Sequence, residues 1–486
     1  MSQKIILFAD NTPEFLETRA EFLEKEGYQV LLAHSPSKAE DLLRNARLHL
    51  AILDLRLTND DDERDISGLE IALNETYRNI PKIILTGYGG VEAARRALRQ
   101  SSRGFIPAIN YLEKREGPEA LIQAVNDAFV HHVRINWNLV FDPQGIHPNS
   151  LVDSIESGLQ GEQWKNRADE LEDLFRRLFY EKDRIRIERV LWRHTGRVAL
   201  TVFAFKEGAA MEQFVAVCGQ NALVVEEAER VQKLAPKAQG ETSTTLAHQA
   251  ETTHFAANAY ALGQADLETV HTLYEIYRGG DRNVFKAAMQ NLFDKVLPAW
   301  HQNPPVPAKH ALEDFYRERL GLTAERVSPQ VIRARWDALV HHLPEFKTLV
   351  PDPEPIATLL QATVYEHPAR KIKSPGMLTG ASILVDVNSN RVWLTDFADA
   401  GDVPELWDFV TLESVIRFDW VEEKQLERLK EIETNLLDDE HFGEPSTAGV
   451  ESAAARQAVS FIQRIRRHAA RVVGKAHLPY HLGIFF

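Results

Sequence analysis

Asp10, Asn11, Asp54, Thr86 and Lys114 each stand at or just behind the end of a short apolar run, and as a set they could carry out phosphoryl chemistry. Oxygens from Asp10, Asn11 and Asp54 would converge on one hard cation, and Mg²⁺ suits a site with few protein carboxylates, some waters and a phosphate oxygen. The Lys114 ammonium and the Thr86 hydroxyl, placed opposite, could pair with the oxygens of a phosphoryl group carried on an aspartate. The cation would offset charge during the transfer. A single acid behind an apolar run more often caps a helix or faces water; the ordered set of five distinguishes this chain.

The five residues converge only if the runs are strands of one sheet with their carboxyl ends together. The stretches 4–9, 28–33, 50–54, 82–86 and about 109–112 read as buried strands. Between and after them, 13–26, 36–46, about 68–77, 90–100 and 118–132 read as amphipathic helices. Acids in the first turn of 13–26 and Gly27 behind it mark that helix's ends. Strands alternating with helices predict an α/β fold built on a doubly wound, five-stranded parallel sheet. In such sheets the reactive groups gather at the carboxyl ends of the strands.

Residues 4 to about 132 resemble the receiver domain of two-component response regulators, on LFADNTPEFLETRAEFLEKEGYQV, AILDLRL followed by SGLEIA, KIILTGYG and NYLEKREGPEAL. The resemblance implies that Asp54 is the phosphoacceptor and that Asp10 and Asn11 match the acidic pair. It also implies that the backbone carbonyl of Arg56 completes an Mg²⁺ shell, that Thr86 and Lys114 bind the phosphoryl group, and that Tyr111 is the switch aromatic. A sensor histidine kinase is the implied partner. Three departures stand out: Asn11 replaces an acid, Arg115 replaces a proline, and the loop after Asp54 carries the insertion TNDDDERDI, expected to be solvated.

Residues 1–134 are thus expected to form the receiver, 135–161 a linker marked by Asp142, Pro143, Gly145, Pro148 and Asn149, and 162–486 a second domain. Residues 163–182 read as a helix, 187–205 and 213–218 as strands, and most of the chain after Glu226 as helical, except 383–387 and 391–395. The segments 236–245, 304–307 and 351–355 read as surface loops. The strand pair ILVDVNSNRVWLTDFA behind a β-rich lobe resembles the core of protein-kinase and aminoglycoside-phosphotransferase-like folds. That resemblance implies a two-lobed α+β kinase-like domain, with a small lobe over about 185–275 and a helical lobe over about 276–486. Asp396 matches the acid that holds Mg²⁺. Met377 falls where the catalytic base belongs, Ser382 where the metal-binding Asn belongs, and Val217, or Ala216 one register off, where the phosphate-pairing lysine belongs. Because phosphoryl transfer depends on positioning and charge neutralisation by such groups, a catalytically inactive pseudokinase is expected. An active ATP-dependent phosphotransferase using Asp396 and another base is the alternative. WDFVTLESVIRF resembles kinase-like domains joined to bacterial receivers in the ternary-complex-associated class, where Asp408 and Glu413 would be structural.

Composition sets the outer bounds. The 486 residues are 44% hydrophobic and 26% charged, which excludes global disorder. A net charge of −15 disfavours nucleic acid as a partner, so no DNA binding is expected. The basic stretch after Glu451 reads instead as a helix packed on its own domain. The single cysteine, Cys218, cannot make an intrachain disulfide and fits a reducing, cytoplasmic setting as a small core residue. No apolar run approaches the roughly 20 residues a membrane span needs, so no membrane contact is expected. The partners expected are a sensor histidine kinase, a protein bound by the kinase-like domain and a second copy of the chain in a homodimer.

Overall fold

The computed structural model describes residues 3–486 apart from 88–89, 102–103, 236–243, 264, 302–303, 324–325, 327, 345–346, 348–351, 356–357, 359–366 and 423–425. Most of the 236–245 segment and Pro351 therefore lie outside the described residues. The chain divides into two compact units: residues 1–225 with 246–261, and residues 226–245 with 262–486.

The first unit opens with β1 (Ile5–Ala9), α1 (Pro13–Lys25), β2 (Gln29–Ala33), α2 (Pro36–Asn45), β3 (Leu50–Asp54), α3 (Ser67–Leu73), β4 (Lys82–Thr86), α4 (Val91–Leu98), β5 (Asn110–Glu113) and α5 (Gly117–His131). The strands form a parallel sheet in the order β2-β1-β3-β4-β5. Both sheet faces are covered, which is why the strands read as unbroken apolar runs. Ile5, Leu7, Ala51 and Leu53 pack into one core layer, while Ile6, Phe8, Leu50 and Ile52 pack into the other.

The segment expected to be a linker is instead packed structure. Val133 and Ile135 belong to the receiver's own core layer, with Trp137 against it. Leu139, Leu151, Val152 and Ile155 are buried in the next core. β6 (Val140–Phe141) pairs in parallel with β7, the strand Arg184–His194. Pro143, Gly145 and Pro148 do punctuate the chain, but Phe141 and Ile146 around them pack against that core. After α6 (Val152–Ile155) and α7 (Gly161–Leu178), β7 to β9 continue with Arg197–Phe205 and Glu212–Gln220. After helix α8 (Asn221–Leu234), most of which belongs to the second unit, β10 (Thr244–Glu251) and β11 (Phe255–Leu262) complete a six-stranded sheet in the order β10-β11-β9-β8-β7-β6. Leu171, Leu174, Phe175 and Leu178 of α7 pack in one core with Ala216 and Cys218 of β9.

Two buried basic side chains of the receiver meet α7. Arg47 Nε donates to Asp173 Oδ2 at 2.5 Å, and His49 Nε2 lies 3.0 Å from the same oxygen. The Ile5 backbone N–H donates to His49 Nδ1 at 2.8 Å, so the neutral ring carries its proton on Nε2 and donates it to Asp173. Burial works against the Asp173 charge, but His49 and Arg47 outweigh it and hold the carboxyl well below the ordinary range.

The second unit is more β-rich than the sequence suggests. Besides the expected pair Ile383–Asp386 and Val392–Leu394, strands occur at Val270–Thr272, Val306–Ala311, Pro368–Ser374 and Gly401–Pro404. They form two three-stranded sheets. The helix Trp407–Val415 carries the acids expected to be structural. Asp408 accepts hydrogen bonds from Ser374 Oγ at 2.6 Å and His301 Nε2 at 2.9 Å. Glu413 and Arg466 are both fully buried, joined by Nε to Oε2 at 2.9 Å and Nη2 to Oε1 at 2.8 Å. Arg466 lies on the packed helix Ala453–Val473, which buries Val459, Ile462 and Ile465. Among the described residues no helix is long and apolar enough to cross a membrane.

Candidate phosphoacceptor site

The carboxyl ends of β1, β3, β4 and β5 bring the predicted residues together. Lys114, in the turn behind β5, sits between two buried carboxylates: its Nζ is 3.0 Å from Asp54 Oδ2 and 2.8 Å from Asp10 Oδ2. Burial would lower the Lys114 amine, but Asp54 and Asp10 raise it. Asp54 moves the other way. Burial, aided by the neighbouring Asp10 and Asp60 charges, exceeds the pull of Lys114 and pushes its carboxyl up to about 7. The turn that presents Lys114 is closed reciprocally by Glu113 and Glu116, and Arg115, where a proline was expected, points into solvent.

Thr86 is fully buried at the end of β4. Tyr111, on β5, packs into the core layer beneath it with its hydroxyl buried, so the expected switch aromatic occupies an inward setting. Asn11 is half-buried, its Oδ1 accepting from Thr12 Oγ1 at 3.3 Å. Arg56 lies just beyond Asp54, and its guanidinium donates to the Asp60 carbonyl at 2.7 Å.

The pocket offers hard oxygen donors, as Mg²⁺ requires. Asp10 Oδ2 is buried and, although ion-paired with Lys114, receives no well-directed hydrogen bond, which leaves it acceptor capacity. Asp10, Asp54 and Asn11 are the side chains that would hold the ion. Among the described residues no group of three His, Cys, Asp or Glu is placed to bind a metal, so the amide of Asn11 in place of a third acid makes this a weakly charged site.

Several contributors were not singled out from the sequence. Gly68 on α3 lets the helix touch the acceptor strand: a Cβ there would lie 1.7 Å from the Asp54 carbonyl oxygen. Phe15 lies under the Lys114 ammonium, 4.8 Å from ring centre to Nζ. In the acidic insertion, Asp65 accepts from the backbone N–H groups of Thr58, Asn59 and Ser67, which folds the loop on itself, while Asp60 Oδ2 reaches Thr12 Oγ1 at 3.4 Å. The glycine of SGLEIA was the one legible signal among these.

The residues expected at kinase-like positions lie elsewhere. Val217 and Ala216 are buried in β9 of the first unit. In the second unit, Met377 is exposed, and Ser382 is buried in a turn where its hydroxyl donates to the Thr379 carbonyl. Asp396 follows the strand Val392–Leu394, with Oδ1 accepting from the Ala398 backbone N–H at 3.3 Å.

Comparison with known proteins bears on the first quarter of the chain. The response regulator receiver domain family matches residues 6–126. The transcriptional regulatory protein GlrR of Escherichia coli (strain K12) is 31% identical over 123 residues, 25% of this chain and 26% of GlrR. The photosynthetic apparatus regulatory protein RegA of Rhodobacter capsulatus is 30% identical over 107 residues, 22% of this chain and 55% of RegA. The chain thus spans about a quarter to about half of these relatives' length. Among solved structures, a CheY-like receiver domain protein from Methanospirillum hungatei JF-1 is 26% identical, covering 26% of this chain and 95% of its own, with a TM-score of 0.23. Residues 6–126, with Asp54, Lys114 and Asp10 gathered at the strand ends, are a response regulator receiver domain of two-component signalling.

Proposed function

We propose that Asp54 accepts a phosphoryl group with Mg²⁺ held by Asp10, Asn11, Asp54 and the Arg56 carbonyl, and that this controls a catalytically inactive kinase-like output that binds protein. The observation that carries the reading is the convergence of Asp10, Asp54 and Lys114 within hydrogen-bonding reach at the strand ends. The Asp54 carboxylate attacks phosphorus while the donor's leaving group departs, and Lys114 then pairs with the new phosphoryl oxygens. Thr86 supplies a hydroxyl to the same oxygens. When bound, Mg²⁺ neutralises charge on the transferring group. The donor is a sensor histidine kinase, and the setting is cytoplasmic. Val217, Met377 and Ser382, each lacking the group that phosphoryl transfer calls for, support an output without catalysis.

Intact-mass measurement after incubation with acetyl phosphate and Mg²⁺ tests the receiver. The wild type is expected to gain one phosphoryl group and Asp54→Asn none; equal labelling of both overturns the assignment. Calorimetry of the full chain with Mg·ATP tests the output. Only weak binding is expected, whereas micromolar binding lost in Asp396→Ala would favour an active phosphotransferase.

A further inference from the structure

A cavity of about 730 Å³ opens within the first unit, between the end of α5, the end of α7 and strand β10. Its wall carries four cationic side chains, Arg78, Arg134, Arg177 and Lys182, against two acidic ones, Glu181 and Glu251. In a chain of net charge −15, such a local excess of cations stands apart. Two of the four are committed: Arg78 pairs with Glu251 at 3.2 Å, and Lys182 pairs with Glu212. The other two are not matched in the same way.

Arg177 Nε is buried and has no hydrogen-bond partner. The nearest acids are already engaged, Asp173 by Arg47 and His49, and Glu170 by His254. Leaving a charged donor buried and unmade costs more than a typical hydrogen bond contributes, so the position calls for an acceptor. Arg134 is exposed and held at φ +51°, an uncommon setting for a residue with a side chain, with its guanidinium 5.9 Å from the Tyr180 ring. Phe105, Phe179 and Tyr180 also line the cavity, giving it apolar walls beside the charges. Concave shape, apolar walls and a few convergent polar groups are the ordinary makings of a small-molecule site.

We propose that this cavity binds a small organic anion bearing a phosphate group or paired carboxylates, with Arg177 and Arg134 as its cationic ligands. A planar guanidinium can give two parallel hydrogen bonds to either group, which a lysine cannot. The site lies away from the carboxyl ends of the receiver strands, so it is distinct from the Asp54 pocket.

The test is isothermal titration of the full chain, without divalent cations, using inorganic pyrophosphate and citrate as probes. At least one probe is expected to bind the wild type, and Arg177→Gln and Arg134→Gln are each expected to weaken it by about tenfold or more. Arg134 is exposed, so its replacement leaves the fold intact and keeps the test sound if Arg177→Gln folds poorly. Lys114→Gln separates the receiver pocket from the cavity and is expected to leave the affinity unchanged. No binding of either probe at millimolar concentration, wild-type affinity in both arginine variants, or a loss confined to Lys114→Gln overturns the proposal. So does a loss confined to an Arg177→Gln protein with a lowered melting temperature.

Discussion

At the scale of single residues, the acceptor site depends on close approach. Gly68 brings α3 against the acceptor strand, its N–H donating to the Leu55 carbonyl at 3.2 Å. Gly68→Ala would place a methyl group 1.7 Å from the Asp54 carbonyl oxygen, against backbone that cannot rotate away. Overpacking of this kind typically costs about 1–3 kcal/mol. The variant is expected to lose stability by that amount in urea titration and to take up phosphoryl groups from acetyl phosphate more slowly than the wild type. A second residue carries a pH signature. Lys82 is buried at the start of β4, its Nζ donating to the carbonyls of Tyr77 and Ile80, and burial brings its amine down to about 7. The unfolded chain therefore binds more protons than the folded one between about pH 7 and 10.5, and stability rises with pH across that window. The gain attributable to Lys82 is on the order of a few kcal/mol. It is expected to appear as the difference between the stability–pH curves of the wild type and Lys82→Met; parallel curves would remove Lys82 as the cause.

Elements differ in how much their sequence declares. The receiver was legible because its strands are short apolar runs, four of them ended by a residue of the candidate site, and each helix has the matching period. β10, by contrast, reads TTLAHQAE and exposes alternate side chains, so its polar half masks a strand. The strands Val306–Ala311 and Pro368–Ser374 start near prolines and carry lysines, which hid their pairing. The helix Trp407–Val415 lies within the segment WDFVTLESVIRF, but nothing in the sequence named Arg466, Arg417 and Tyr480 as Glu413's partners. A fully buried, two-pronged ion pair resists the loss of either member, because the survivor keeps its charge without a counter-ion. Arg466→Ala is therefore expected to destabilise the second unit by about 3–5 kcal/mol in denaturant titration. Glu413→Gln, which retains an acceptor for Tyr480, is expected to cost less. An unchanged midpoint for Arg466→Ala would show that this pair is not what holds the helix Ala453–Val473 in place.

Across the molecule, the receiver is not a bead on a tether. Asp173 faces His49, Arg47 and Arg177, all buried or nearly so, and its depressed carboxyl means that the folded state favours the anion. The stability contributed there is present above the unfolded value near 4 and is lost as pH falls below it. His49 opposes protonation as well, since a second ring proton would displace the Ile5 N–H bond. Hydrogen exchange is expected to show β3 and α7 opening with the same free energy at neutral pH. In Asp173→Asn, which strands Arg47, α7 is expected to open first. Separate opening in the wild type would mean that the receiver and the six-stranded sheet do not share one cooperative unit. A sequence reading could not see this link, because an acid on the polar-looking side of an amphipathic helix is read as solvated. Asp173 is on that side only until the receiver covers it.

The chain order of the first unit has a consequence for how the protein is made. Synthesis delivers the receiver first, yet Arg47 and His49 wait for residue 173, and the six-stranded sheet waits for residues 246–261, which follow a stretch belonging to the second unit. Domains generally fold as units in the order in which they leave the ribosome. Here the newborn receiver leaves Arg47 and His49 without Asp173 until about forty residues beyond the end of α5 have emerged, and the six-stranded sheet stays incomplete until residues 246–261 follow. A ribosome stalled soon after α5 would hold a receiver whose strands are formed but whose Arg47 and His49 still lack their acceptor, and this is the stage at which chaperones would have most to bind.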